Sequence, residues 1–121
     1  MRWVADVPPG VYVDDEYMRT SYGVVWREKD EPLAVGKLEL RPSGVRLDGL
    51  DGSRDIPYRL LAGVRVGRLA GERIDGRPSV VLERHTGGPI MIATVAKPSL
   101  MGEIVEKLAA LQVGDDLARR A

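Results

Sequence analysis

Along residues 36–49, GKLELRPSGVRLDG, apolar and charged side chains take strict turns. Leu38 and Leu40 alternate with Lys37, Glu39 and Arg41. Pro42-Ser43-Gly44 turns the chain, and Val45 and Leu47 then alternate with Arg46 and Asp48. A period of two sends successive side chains to opposite faces of a strand. The segment predicts a hairpin with strands over 34–41 and 44–49. Leu38, Leu40, Val45 and Leu47 should face a core, and the charged set should face water. Similar signals lie on both sides. GVVWRE at 23–28 reads as a strand, followed by a charged loop from Lys29 to Pro32. Asp51-Gly52 is a second tight turn, of the kind that tolerates positive φ. Arg54 to Pro57 is a short strand, Leu60-Leu61 a corner, and Gly63 to Val66 a resumed alternation. PSVVLERH and PIMIATV predict two further strands, joined through Thr86-Gly87-Gly88.

One segment has a helical period. After Pro98-Ser99, apolar residues fall at Leu100, Met101, Ile104, Val105, Leu108 and Leu111, the spacing of an amphipathic helix. Ser99 suits the N-cap, Glu103 precedes Lys107 by one turn, and Gly114 stands where a stop is expected. Ile104 and Leu108 should dock, with Lys107 on the opposite face, and DDLARRA should form a tail. At the other end, Pro8-Pro9-Gly10 and Asp14-Asp15-Glu16 suggest an arm rather than part of the folded unit. The organisation expected is therefore an arm at 1–21, one domain at 22–112 and a tail at 113–121. Seven short strands and a terminal helix fit a sheet curled into a partly open barrel, with the helix as its plug.

Composition leaves this picture in place and narrows the chemistry. The chain has 121 residues, suited to one domain, and no cysteine, so neither disulfides nor thiolate metal sites are available. No apolar run approaches a membrane helix and residues 1–20 lack the core of a signal peptide, so a cytoplasmic location, at most peripheral to a membrane, is the expectation. Net charge is zero, distributed as −3 over 1–35, +4 over 36–97 and −1 over 98–121. Offsets this small argue against a nucleic-acid binder.

The residues for catalysis are sparse. His85 is the single histidine and follows Glu83-Arg84 at a hairpin tip, where a solvated loop explains it better than a general base. Any nucleophile–His–acid arrangement would have to run through it. DGLDGSRD at 48–55 hints at a calcium loop, but its twelfth position is Arg59 rather than Glu, so a hairpin turn is the better reading. Gly63, Gly67 and Gly71 are evenly spaced but lack the Lys-Ser/Thr ending of a phosphate loop. The expectation is a non-enzyme with no catalytic residues, no metal and no cofactor.

At this point the chain resembles the pleckstrin-homology (PH) superfold and its bacterial and GRAM-like relatives, over about residues 22–112. IPYRLLAGVRVGR at 56–68 is similar to the family's fourth and fifth strands with their corner, and PIMIATVAKPSLMGEIVEKLAAL at 89–111 is similar to its closing strand and helix. Many PH domains carry a tryptophan in that helix. Here Trp3 and Trp26 lie elsewhere, which marks a divergent member. The resemblance implies a mainly β fold: two packed antiparallel sheets forming a partly open seven-stranded barrel, capped by one C-terminal helix.

The resemblance also implies two places to look for a ligand. Phosphoinositide-binding relatives set a lysine at the end of the first strand and a basic-x-Arg pair on the second. Here Lys29 is followed by Asp30-Glu31, and Lys37-Leu38-Glu39 has an acid where the arginine belongs. Lys29, Lys37 and Arg41 are the best anion candidates, but strong phosphoinositide binding is not expected. The second place is the edge of the fifth strand, where related folds receive a peptide. Ala62, Gly63 and Gly67 would leave room for a partner backbone, and Arg65 and Arg68 would pair with its acidic residues. The opposing reading has the N-terminal arm covering this edge. The function expected is a protein- or peptide-binding module. Lipid-headgroup recognition or a self-assembling subunit is the alternative, so homo-oligomerisation stays open.

Overall fold

A computed structural model of the chain describes residues 20–28 and 31–120. The described residues form seven strands, β1 (Ser21–Glu28), β2 (Ala34–Arg41), β3 (Gly44–Gly49), β4 (Gly52–Pro57), β5 (Leu61–Gly67), β6 (Ser79–Arg84) and β7 (Ile90–Thr94), followed by the helix α1 (Leu100–Arg120). Short 3-10 turns occupy Tyr58–Leu60 and Ala70–Glu72. The strands make one antiparallel sheet in the order β4-β3-β2-β1-β7-β6-β5. β1 pairs with both β2 and β7, so the two expected sheets are halves of one continuous sheet that curls into a half-barrel, with β4 and β5 as its edges among the described residues.

The hairpin behaves as its alternation requires. Leu38 faces Leu47 and Leu40 faces Val45 across β2 and β3. All four are buried on the concave side with Tyr22, Val24 and Trp26 of β1 and Ile56 of β4. Glycine matters at three places here: a Cβ on Gly36 would overlap the Asp48 carbonyl, one on Gly44 would stand 2.5 Å from the Ile56 carbonyl oxygen, and one on Gly49 3.0 Å from Trp26 Cη2. From β6 and β7 the concave face receives Val80, Leu82, Ile90 and Ile92, in register with β1 through Trp26 opposite Ile92.

α1 closes the barrel with Met101, Ile104 and Leu108, all buried, supported by Leu100, Val105 and Leu111. The carbonyl of Ser99 accepts from Glu103 N at 3.5 Å, at the start of the helix. Two helix expectations are corrected. The helix does not stop at Gly114 but continues to Arg120, so the expected tail at 113–120 is helical. Glycine costs a helix interior about 1 kcal/mol relative to alanine, and Asp115–Arg119 at 3.1 Å and Asp116–Arg120 at 3.2 Å offset part of that one turn apart. Lys107 does not face open water: its ammonium lies 5.7 Å from the centre of the Tyr22 ring and 3.6 Å from Glu103. Of the arm expected at 1–21, residues 1–19 lie outside the described residues, and Ser21 already belongs to β1.

Candidate functional site

β5 carries the candidate partner residues, and the structure sorts them. Its inner neighbour is β6, with Val64 opposite Leu82 and Val66 opposite Val80, and the register slips between Leu61 and Gly63 so that Ala62 bulges. On the other side β5 has no strand among the described residues. Among the described residues, 62–67 make no backbone hydrogen bond beyond the ladder with β6. At the ends of this edge, Gln112 Nε2 donates to the Leu61 carbonyl at 3.5 Å, and Arg73 Nε donates to that of Arg68 at 3.0 Å.

α1 runs beside the edge in the reverse direction. Gln112 meets the start of β5, whereas Met101 and Gly102 meet its end. There Val66, Arg68, Pro78, Pro98, Ser99, Met101 and Gly102 line a cavity of about 310 Å³. Among the described residues the site is thus an open strand edge that leads into a small pocket of mixed lining, with Arg68 and Ser99 exposed at its rim.

Two of the five candidates do not play the expected part. Arg65 is already engaged within the chain. Its Nε donates to Glu83 at 2.5 Å and its other nitrogens clasp the Glu72 carboxylate, which raises the guanidinium pKa and holds Glu72 below its ordinary value. Gly67 leaves no gap for a visitor either. A Cβ there would stand 2.6 Å from Val81 Cγ2 and 2.9 Å from Glu72 Cβ, so its small size serves internal packing. Gly63 keeps the expected openness, since the nearest atom to a Cβ is Glu83 Oε2 at 4.0 Å. Ala62 and Arg68 are exposed.

The anion candidates are not brought together as a site. Lys29 lies outside the described residues. Lys37 and Arg41 project from the convex face of β2 on either side of Glu39, at 4.0 and 3.1 Å from it. Arg41 also lies 3.8 Å from Asp55. Across the sheet the signs alternate: Lys37 faces Asp48, and Glu39 faces Arg46, which faces Asp55. Arg46 Nε donates to Asp48 at 2.8 Å and Ser53 donates to the same carboxylate. The Ser53 hydroxyl and Arg46 together hold Asp48 below the usual carboxylate range.

A third group was not singled out from sequence. Glu28, at the end of β1, pairs with Arg54 of β4 and lies 3.7 Å from Arg84 of β6. Burial, then the nearby Arg84, lowers the pKa of Arg54. Glu28 thus ties the β4 edge to the far half of the sheet, a contact that exists only because the sheet curls. Positions 26 or more residues apart in sequence gave no sign of it. His85 is exposed in its turn, where its backbone N–H donates to the Leu60 carbonyl at 3.1 Å. Among the described residues no cluster of three His, Cys, Asp or Glu suits a metal.

Solved structures supply a match to this arrangement. The C-terminal domain of an unknown protein from Leishmania infantum has a TM-score of 0.59 and 11% identity to this chain, covering 77% of this chain and 81% of that one. The topology is PH-like. At this identity the likeness carries the fold and says nothing of a ligand. No protein-family model and no curated protein matches the sequence. Among the described residues no helix is long and apolar enough to cross a membrane.

Proposed function

We propose that the protein is a divergent member of the bacterial, GRAM-like branch of the PH superfamily. On this reading it is a non-catalytic module that takes an extended peptide along the outer edge of β5. The observation that carries the proposal is the contrast between the two sheet edges. β4 is guarded: Arg54 and Asp55 stand on it, and Pro57, which has no N–H, ends it. Charge and proline are the usual means of keeping an edge from pairing. β5 carries fewer guards. Its residues are Leu-Ala-Gly-Val-Arg-Val-Gly, with one charge and no proline, and that arginine is engaged by Glu72 and Glu83 as Arg54 is by Glu28.

A peptide added here gains main-chain hydrogen bonds from 62–67 and places one apolar side chain in the pocket at Val66, Pro98 and Met101. Arg68 at the rim favours an acidic residue next to it. Gly63, without a side chain, allows close approach beside the bulge. Lipid-headgroup recognition gains no support from the paired state of Lys37 and Arg41.

Hydrogen exchange on the free full-length chain tests the vacancy, and selection from a random peptide library tests the occupant. The expected result is fast exchange at the outward amides of 62–67 in the free protein, and slow exchange when a selected peptide is bound. Arg68→Glu should shift the selected sequences away from acidic residues. Protection of 62–67 in the free protein, persisting at dilutions that split any dimer, would mean the edge is already filled and would end this reading.

A further inference from the structure

The solvent side of α1 carries a second apolar row. Met101, Ile104 and Leu108 define the docked face. Glu106, Ala109, Ala110, Val113, Leu117 and Arg120 return every three or four residues on the opposite side, and all are exposed. Val113 and Leu117 are 61% and 62% exposed, among the most exposed large apolar residues of the described chain. The helix outruns its packing on the core: past Leu111 and Gln112, which still touch the barrel, it continues for roughly two turns. Gly114, beside Val113, is exposed, and a Cβ there would meet nothing. A second helix can therefore come close at this point.

We propose that this row is a homodimer interface in which α1 packs antiparallel against α1 of a second copy, with the two-fold axis beside Val113. The charges specify the direction. Glu106 lies seven residues before Val113 and Arg120 seven after it, so an antiparallel pair centred there brings Glu106 of each copy to Arg120 of the other. A parallel pair would instead set like charges together. The same centre places Leu117 four residues on against Ala109 four residues back, a large side chain against a small one. Glu106 makes no ion pair with any described residue. Arg120, with its side chain 77% exposed, holds only Asp116 among the described residues. An isologous pair uses each contact twice. The seam is short, so the dimer belongs at the weak, concentration-dependent end of the range. It uses a different face from β5, so its failure would leave the peptide reading untouched.

The absence of cysteine from the chain makes a direct test simple. Val113→Cys sits on the proposed axis and should oxidise to a covalent dimer, while Asp51→Cys, on the exposed β3–β4 turn, should stay monomeric under the same conditions. Sedimentation equilibrium of the full chain should show a monomer–dimer equilibrium in the micromolar range, weakened at least tenfold by Leu117→Asp. Glu106→Arg should weaken it as well, and Glu106→Arg combined with Arg120→Glu should restore it. All of these positions are exposed, and circular dichroism checks that each variant folds. A chain that stays monomeric to millimolar concentration overturns the proposal. So does a dimer indifferent to Leu117→Asp, or a double charge reversal that fails to rescue.

Discussion

On the convex face of β2, β3 and β4, Arg46 stands among Glu39, Asp48 and Asp55, open to water. On the convex face of β6 and β7, Val81 and Met91 are 1% and 6% exposed. One sheet thus has a wet outer face in one half and a dry one in the other. The difference comes from the β5–β6 connection, residues 68–78. Its 3-10 turn sets Glu72 against Arg65, the Glu72 carbonyl accepts from Ser79 Oγ at 2.5 Å, and Ile74, 3% exposed, covers Ala93 beside Val25. The strap gives this half a second apolar layer. Where no strap crosses, alternating charges cover the sheet instead.

If that contrast is right, matched substitutions on the two outer faces should differ widely. Val81→Asp buries a carboxylate opposite Arg65, whose guanidinium Glu72 and Glu83 already hold, and removes packed methyl groups. It should cost about 4 kcal/mol or more, a large part of a typical domain's stability. Arg46→Ala, at a comparable position on β3, removes only exposed ion pairs, and its urea midpoint should stay close to that of the parent. Equal midpoints for the two variants would break the comparison, because the strap would then not be docked.

The same contrast explains what could be read from sequence. In β2 and β3 one face is wet, so polarity alternates and the four core residues are legible one by one. β6 and β7 are buried on both faces over Ser79 to Leu82 and Ile90 to Thr94, and their apolar runs reveal a strand without revealing its two sides. Ile74, the residue that makes the second layer, sits in GERIDGRP and looks like loop. β5 was legible as an edge candidate, but the roles of its residues were not. Arg65 finds its partners seven and eighteen residues away, and the atoms crowding Gly67 belong to Glu72 and Val81. Such long-range contacts leave no periodic mark. Gly114 misled for a different reason: its cost of about 1 kcal/mol is local, whereas the helix is stabilised over its whole length.

An intermediate effect should appear with acid. Arg65 holds Glu72 below its ordinary pKa, so the folded state binds this proton less readily than the unfolded one. The stabilisation is complete above the unfolded value of ~4.3–4.5 and disappears as pH falls through the lower folded value. Glu72→Gln should therefore lower Tm near neutral pH and flatten its decline below about pH 4.5. Amides of 69–78 should exchange faster in the same variant. A melting curve with an unchanged acid limb would show that the Arg65 clasp does not hold the strap.

The smallest effect is expected on the wet face, and it bears directly on ligand choice. Each cation there already has a carboxylate neighbour: Lys37 and Arg41 have Glu39, and Arg46 has Asp48 and Asp55. A phosphate arriving at this face would have to displace those carboxylates and then sit beside them, so its attraction to the guanidiniums is largely cancelled. Exposed pairs of this kind are also screened by salt over about 8–10 Å at ordinary ionic strength. Sedimentation with vesicles containing phosphoinositide should accordingly carry down little more protein than neutral vesicles do, and Lys37→Ala should change nothing. Micromolar, salt-sensitive binding lost in Lys37→Ala would show that the lattice opens for an anion, and the lipid reading would then displace the peptide one.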